Sequence, residues 1–185
     1  MKLFLTIITC LFLFGCAATK NKTISGTNGW NTVGEKVWST SNGVLSSDPK
    51  EGKSYLVSPV PYKSFKLELE FWPDEKVNSG VFINCDTSTK IGSKNCYEAN
   101  ISDNHKKPEF RTGSIVRHAI PSSKVNSIGK WNKMVFTSTK GKVIVEINGV
   151  KTAEVSSEKH PGGYIGLQRF KNGVIKFKNI LITPL

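Results

Sequence analysis

Arginine is nearly missing from this chain, at three against 23 lysines; cysteine is limited to four, and no window sustains a helical period. The last absence excludes helix bundles and the alternating strand and helix pattern of parallel α/β sheets. No Gly-x-Ser-x-Gly elbow, His-Glu-x-x-His pair or phosphate-cradling Gly-Lys-Ser loop occurs, which leaves serine-hydrolase, zincin and nucleotide readings without a motif. Hydrophobic residues make up 38% of 185, enough for one core and too little for two comfortable domains. Only one long apolar run is present, and it lies at the N-terminus.

That run fills residues 3–14 behind a single positive residue, Lys2. It falls short of the roughly 20 residues that span a bilayer, so residues 1–15 read as a signal peptide. Gly15 directly before Cys16 resembles a bacterial lipobox, in which the cysteine is lipidated and becomes the mature N-terminus. The alternative is a plain secretory signal cleaved elsewhere. Lipidation at Cys16 implies a protein of the bacterial cell envelope, held in the periplasm or at the outer membrane by its lipid. Residues 16–28 have no apolar period and suit a flexible tether, with the folded domain expected over residues 29–185.

Removal of the signal discards Cys10 and lipidation consumes Cys16, which leaves Cys85 and Cys96. An exported protein can oxidise that pair. The two flank a polar loop between strand-like runs, so a disulfide would staple the base of a long hairpin loop and contribute on the order of 2–3 kcal/mol by chain entropy. Zinc is the alternative, but two thiols without nearby His or Cys ligands fall short of a structural site. No metal site or cofactor is assigned; a divalent metal is an option whose ligands the sequence does not identify. The formal charge of +12 falls to +11 when Lys2 leaves with the signal (12 − 1). The lysines are scattered and not interleaved with stacking aromatics, so a nucleic-acid partner is not expected. A solvated surface with some attraction to an acidic glycan or a membrane surface accounts for them.

Strand signals recur at residues 37–39, 43–45, 55–58, 65–72, 80–84, 97–102, 114–118, 132–139, 142–147, 150–155, 164–168 and 174–182, with turn residues between them. Phe65, Leu67, Leu69 and Phe71 alternate with Lys66, Glu68 and Glu70, which predicts a half-buried strand. Asn148-Gly149 predicts a two-residue hairpin turn, and Asn42-Gly43 and Lys140-Gly141 look like further turns. Many short antiparallel strands without helices predict an all-β sandwich or jelly roll.

Strand parity also predicts a site. If Ala99 and Ile101 point into the sandwich, Glu98 and Asn100 share the other face about 7 Å apart. Burial of Ile165 and Leu167 turns Tyr164, Gly166 and Gln168 to the open side. If residues 114–118 run as a regular strand, burial of Ile115 leaves Ser114, Val116 and His118 open, which favours His118 over Arg117; His105 and His160 lie in loops. Glu, Asn, Gln and Tyr on one sheet face are the ordinary make-up of a sugar site, and equally of a solvated face.

The order of motifs carries a resemblance. Phe65-Lys-Leu-Glu-Leu-Glu-Phe, Asn78-Ser79-Gly80-Val81-Phe82, Tyr97-Glu98-Ala99-Asn100-Ile101-Ser102-Asp103, Thr112-Gly113-Ser114-Ile115, Trp131-Asn132, Asn148-Gly149, Gly163-Tyr164-Ile165-Gly166-Leu167-Gln168 and Val174-Ile-Lys-Phe-Lys-Asn179-Ile180 resemble the 3-keto-disaccharide hydrolase domain family from about Trp30 to Leu185. The resemblance implies a concanavalin-A-like jelly-roll β-sandwich, often on exported lipoproteins, acting on sugars oxidised at C3. It also implies that Trp38 and Trp131 pack in the core. The departures lie at polar positions that would contact a ligand. Asn84 stands where the family commonly has Arg, Asn100 where it has Gln, Val116 where a Tyr often ends the Thr-Gly block, and Arg169 and Phe170 follow Gly-Leu-Gln in place of an acidic residue or His.

An ordinary glycosidase needs two carboxyl groups flanking the bond, and no pair is evident here, since Asp103 falls on the opposite parity from Glu98. A keto group at C3 acidifies the C2 proton and allows elimination of the C1 substituent followed by hydration, for which one general base with donors for the enolate oxygen suffices. Glu98 or His118 is the expected base, with Asn78, Asn84, Asn100, Gln168 and Arg169 binding the sugar or the developing oxyanion. Trp72 is either a sugar-stacking platform or a rim residue. The expected function is hydrolysis of 3-keto glycosides, with a carbohydrate ligand and a membrane reached through the lipid. The alternatives are a noncatalytic carbohydrate-binding lipoprotein on the same sandwich and a structural envelope protein. The oligomeric state is not indicated.

Overall fold

The computed structural model describes residues 22–24, 29–49 and 52–185. Thirteen strands run in the order β1 (Lys22–Ile24), β2 (Asn31–Gly34), β3 (Trp38–Ser41), β4 (Val44–Ser47), β5 (Lys53–Val57), β6 (Phe65–Pro73), β7 (Asn78–Cys85), β8 (Tyr97–Ile101), β9 (Asn132–Thr139), β10 (Lys142–Ile147), β11 (Val150–Ser156), β12 (Tyr164–Phe170) and β13 (Ile175–Pro184). A single 3-10 turn at Pro108–Phe110 is the helical element among the described residues. One sheet has eight strands, ordered β11-β10-β9-β6-β13-β4-β3 with β1 also on β13; the other has five, ordered β2-β5-β12-β7-β8. Every strand pairing in both sheets is antiparallel.

Period-two patterning sets which face each strand buries. In β6, Phe65, Leu67, Leu69 and Phe71 are buried while Lys66, Glu68 and Glu70 stay partly exposed, as their alternation requires. These side chains meet Val81, Ile83, Tyr97, Ile165 and Leu167 of the five-stranded sheet in one core, each large apolar group worth roughly 1.5–3 kcal/mol of burial. Asn148 and Gly149 both take positive φ, 53° and 80°, so Ile147 and Val150 pair directly across the turn. Asn42 and Gly43, at 49° and 75°, join β3 to β4 in the same way. Asn-Gly serves because these two residues tolerate the left-handed region that two-residue hairpins demand.

Three expectations need correction. Residues 114–118 are not a strand: Ile115 bridges Ala99 on one side and exchanges backbone hydrogen bonds with Ala119 on the other, so the chain doubles back within a few residues and Arg117 takes φ 71°. Residues 22–24, expected within the tether, pair with Ile180–Ile182 of β13 as an edge strand. Trp131 lies on the outer face of the larger sheet beneath the Lys178 ammonium, 4.2 Å from the ring centroid, rather than in the core, where Trp30 is buried. The signal segment, Cys16 and the rest of the tether lie outside the described residues.

Cys85 ends β7 and Cys96 stands just before β8, and the two form a disulfide across a sequence separation of 11. The loop they close lies back over the outer face of the five-stranded sheet. Ile91 from this loop joins Tyr55, Val57, Phe82, Tyr164 and the disulfide in a second, smaller apolar cluster. Its seat is Gly166, where an added Cβ would come within 3.3 Å of the Ile91 side chain.

Candidate active site

Cross-strand register arranges the outer face of the five-stranded sheet in rows. Val57, Gly166, Phe82 and Glu98 form one row; Tyr55, Gln168, Gly80 and Asn100 form the next; Lys53, Phe170 and Asn78 form the third. The first row is roofed by Ile91 and is apolar except for Glu98. Gln168 and Asn100 of the second row and all of the third line a cavity of about 190 Å³ together with Glu98, Ser93 of the disulfide-closed loop, Val116, and His105 and Phe110 of the loop after β8. That volume lies below the roughly 300–1,000 Å³ of pockets for drug-sized ligands and suits a single small ring.

Glu98 is 9% exposed and leans over Gly80, where an added Cβ would lie 3.2 Å from Oε1. The missing side chain at position 80 is therefore the space the carboxylate occupies. Among the described residues no hydrogen bond or ion pair reaches this carboxylate. Burial beside the apolar row pushes its pKa from 4.5 up to about 7, against the opposing pull of the Lys53 and Arg117 charges. Tyr55 is also raised, chiefly by burial and further by the Glu98 charge, with its hydrogen bond to Gln168 working against both.

The neighbours of Glu98 are polar and held in place. Gln168 donates from Nε2 to the Tyr55 hydroxyl at 3.3 Å, and its Oε1 is buried without a partner among the described residues. A buried acceptor left open in this way is one that a ligand hydroxyl can satisfy. Asn100 donates from Nδ2 to the Phe110 carbonyl, which leaves Oδ1 as its acceptor. Asn78 lines the cavity from the start of β7. Four expected residues, Glu98, Asn78, Asn100 and Gln168, are thus brought together.

Three others are not. Asn84 is corrected from ligand contact to structural support, because a register shift where β7 pairs with β12 disturbs strict alternation. With φ 53° its amide turns inward, donating to Ser138 Oγ of the opposite sheet and to the His160 carbonyl, each at 2.9 Å. Arg169 is corrected likewise. Two residues beyond Leu167, it shares the core-facing parity, is fully buried beside Glu35 and Asp48, and donates to the carbonyls of Gly52 and Lys171 at 3.3 and 3.1 Å. His118 follows the tight turn at Arg117 away from the cavity and packs edge-on against core-facing Tyr97, centroids 5.1 Å apart. Arg117, not His118, is the residue turned towards Glu98, with Nε donating to Ser93 Oγ. Trp72 also belongs elsewhere, on the larger sheet under Lys176.

The structure adds residues in their place. Lys53 and Phe170 have the same parity as Tyr55 and Gln168 and become visible once β5 and β12 are extended by two pairs. His105 carries no strand signal; a buried polar knot delivers it. The Asp103 carboxylate accepts from Thr112 Oγ1, from the Ser127 amide and hydroxyl and from the Ile128 amide. Arg111 Nε then donates to the His105 carbonyl at 3.0 Å, and the imidazole stacks on Phe110 with centroids 5.0 Å apart. Asp103 is accordingly spent on structure and is no second catalytic carboxylate. Among the described residues no group of three or more His, Cys, Asp or Glu side chains is placed to hold a metal ion.

Two antiparallel sheets packed face to face define a jelly-roll sandwich, and the family match and a 27% identical neighbour give it a carbohydrate-related function. Within that class the chain belongs to the 3-keto-alpha-glucoside-1,2-lyase-like domain family, whose model matches residues 22–183. A solved structure from Parabacteroides distasonis ATCC 8503, provisionally classed as a glycosyl hydrolase, is 27% identical with a TM-score of 0.76, the match covering 90% of this chain and 100% of that one. A second protein of the same organism and class is 18% identical, covers 87% and 91%, and has a TM-score of 0.74. The carbohydrate-binding module CBM66 of Bacillus subtilis is 17% identical, covers 86% and 98%, and has a TM-score of 0.66. The last two identities speak for fold alone. No curated protein matches the chain.

Proposed function

We propose that the protein cleaves 3-keto glycosides by elimination and hydration, with Glu98 as the base. The observation that carries this reading is a lone carboxylate: among the described residues lining the cavity, Glu98 is the one acid, and its pKa of about 7 poises it for proton abstraction near neutrality. Two-carboxylate hydrolysis lacks its second group here. The family's description as a 1,2-lyase agrees with chemistry across C1 and C2.

In this reading Glu98 removes the C2 proton and the electron pair moves onto the C3 oxygen as an enolate. The charged Lys53 side chain beside Glu98 and the donors of Asn78 stabilise that oxygen. Collapse of the enolate forms the C1–C2 double bond and breaks C1–O, and the departing oxygen takes a proton from His105 at the rim. Water then adds across the double bond, completing net hydrolysis. A binding-only reading draws on the likeness in fold to the carbohydrate-binding module. We also propose that Cys16 carries a lipid and holds the protein in the bacterial cell envelope.

The test is product formation from 3-keto-glucosides beside the matching unoxidised glucosides, using protein that begins after Cys16 and retains β1. Cleavage confined to the keto sugars is expected. Binding without product from any keto sugar would establish the binding-only reading instead.

A further inference from the structure

The rows of the five-stranded sheet give the cavity a direction. One side is closed by Ile91 seated on Gly166, with Ser93 as a wall. The other side, past Asn78 and His105, opens into a hollow of about 450 Å³ whose lining includes both residues. A ring held at Glu98 can therefore continue its chain towards this hollow.

The hollow's charge is lopsided. Lys76, Lys106, Lys107 and Lys171 line it, and Arg111, Lys124 and Lys130 line a neighbouring hollow of about 420 Å³ that shares the Asp103 to Lys106 loop. Against these seven cations stand three carboxylates, Asp74, Glu75 and Asp103. Two are saturated: Asp74 accepts from the amides of Lys76, Val77 and Val174, and Asp103 is held in its knot. None of the seven cations forms an ion pair within 4 Å among the described residues; Lys171 lies over the Phe170 ring at 5.7 Å. The larger sheet is the contrast, since its outer lysines 66, 133, 142, 151 and 178 all pair with glutamates. Across the two hollows the seven cations outnumber the three carboxylates, which leaves a net positive lining beside Asn78 and His105.

We propose that this hollow is the subsite for the unit attached to the sugar at Glu98, and that this unit is an anionic saccharide bearing a carboxylate or sulfate. The proposal rests on the reading of Glu98 as the catalytic base for its position in a reaction, and on the joint charge of the two adjoining hollows for its ligand, since the first hollow alone sets four lysines against three carboxylates. Continuity through Asn78 and His105 favours a saccharide over a lipid headgroup.

The experiment compares two keto-disaccharides that differ only in the leaving sugar, a glucuronate and its uncharged carboxamide. Wild type is expected to prefer the glucuronate by about tenfold in kcat/KM at low salt, through electrostatic attraction, with the preference fading as salt screens it. Lys76→Glu/Lys106→Glu should abolish the preference, whereas Lys36→Glu/Lys140→Glu, the same change of net charge on exposed residues elsewhere, should keep it. Equal use of both sugars by wild type, or equal loss in both double variants, would overturn the subsite while leaving the Glu98 chemistry standing. If neither compound turns over, the Glu98 reading fails, and equilibrium binding of the glucuronate disaccharide decides the hollow. Salt-sensitive binding lost only in Lys76→Glu/Lys106→Glu upholds it; no binding, or binding only to anionic phospholipid vesicles, overturns it.

Discussion

The two outer faces of this sandwich handle charge in opposite ways. On the larger sheet Glu68 sits between Lys66 and Lys133 at 3.3 and 2.8 Å, Glu154 between Lys142 and Lys151 at 2.8 and 3.0 Å, and Lys176 and Lys178 cover Trp72 and Trp131. These groups have partners, and the carboxyl of Glu68 is lowered chiefly by its hydrogen bond with Lys133. On the smaller sheet Glu98 is buried without one and is pushed the other way. Partnered charge makes a quiet, solvated surface; a buried carboxylate with cations nearby but none bonded to it keeps its proton to a higher pH.

The sharpest way to break that contrast is Glu98→Gln. A fall in kcat of about 10³-fold is expected, the usual worth of a positioned base, with sugar affinity retained in a binding assay. Wild-type turnover should rise with pH through about 7 as Glu98 ionises, and a profile with no such rise would remove Glu98 as the base. The same substitution tests the cost of burial. Because the folded carboxyl holds its proton up to about 7 while the unfolded chain releases it near 4.5, its contribution to stability is fully present below 4.5 and lost as pH rises through 7. At pH 8 that loss is on the order of 3 kcal/mol, so Glu98→Gln should raise Tm over wild type at pH 8, with the gap closing towards pH 4. A constant gap would mean the amide acts through something other than charge.

Gly80→Ala probes position alone. The added methyl meets Oε1 and Cγ of Glu98 at 3.2 and 3.3 Å and the Ala99 carbonyl at 3.2 Å. Displacing the carboxylate should lower kcat by tenfold or more without moving the pH at which turnover rises. The smallest effect belongs to the other face. Glu68→Gln should leave turnover unchanged and Tm close to wild type, as exposed ion pairs contribute little; a large loss of either would show that the two faces are coupled.

Legibility in the sequence followed regularity. Where strands alternate without interruption, as in β6, β8 and β12, parity placed Glu98, Asn100 and Gln168 on the right face from letters alone. The failures lie where the backbone departs from period two. A register shift beside Asn84 and a tight turn at Arg117 each redirect a side chain, and neither carries a glycine or proline that would announce it. Arg169 is a different case: its parity was readable, but a buried arginine beside Glu35 and Asp48 runs against the expectation that charge faces water. His105 depends on hydrogen bonds between Asp103 and residues 112, 127 and 128, partners that only the folded chain brings together. The family's Thr112-Gly113 and Trp131-Asn132 blocks are legible in retrospect as parts of this support, since Asn132 ties the carbonyls of Ser127 and Lys130.

The Cys85–Cys96 bond gives the pocket a history as well as a shape. Before those thiols are oxidised, the loop bearing Ile91 and Ser93 has no tie at its base, and the patch formed by Tyr55, Val57 and Phe82 lacks its fastened cover. Reduction would therefore loosen the cover of that patch together with the Ser93 wall of the cavity. On the proposed placement of the protein in the cell envelope, where oxidation is favoured, the walled pocket would be completed only after the chain reaches that compartment.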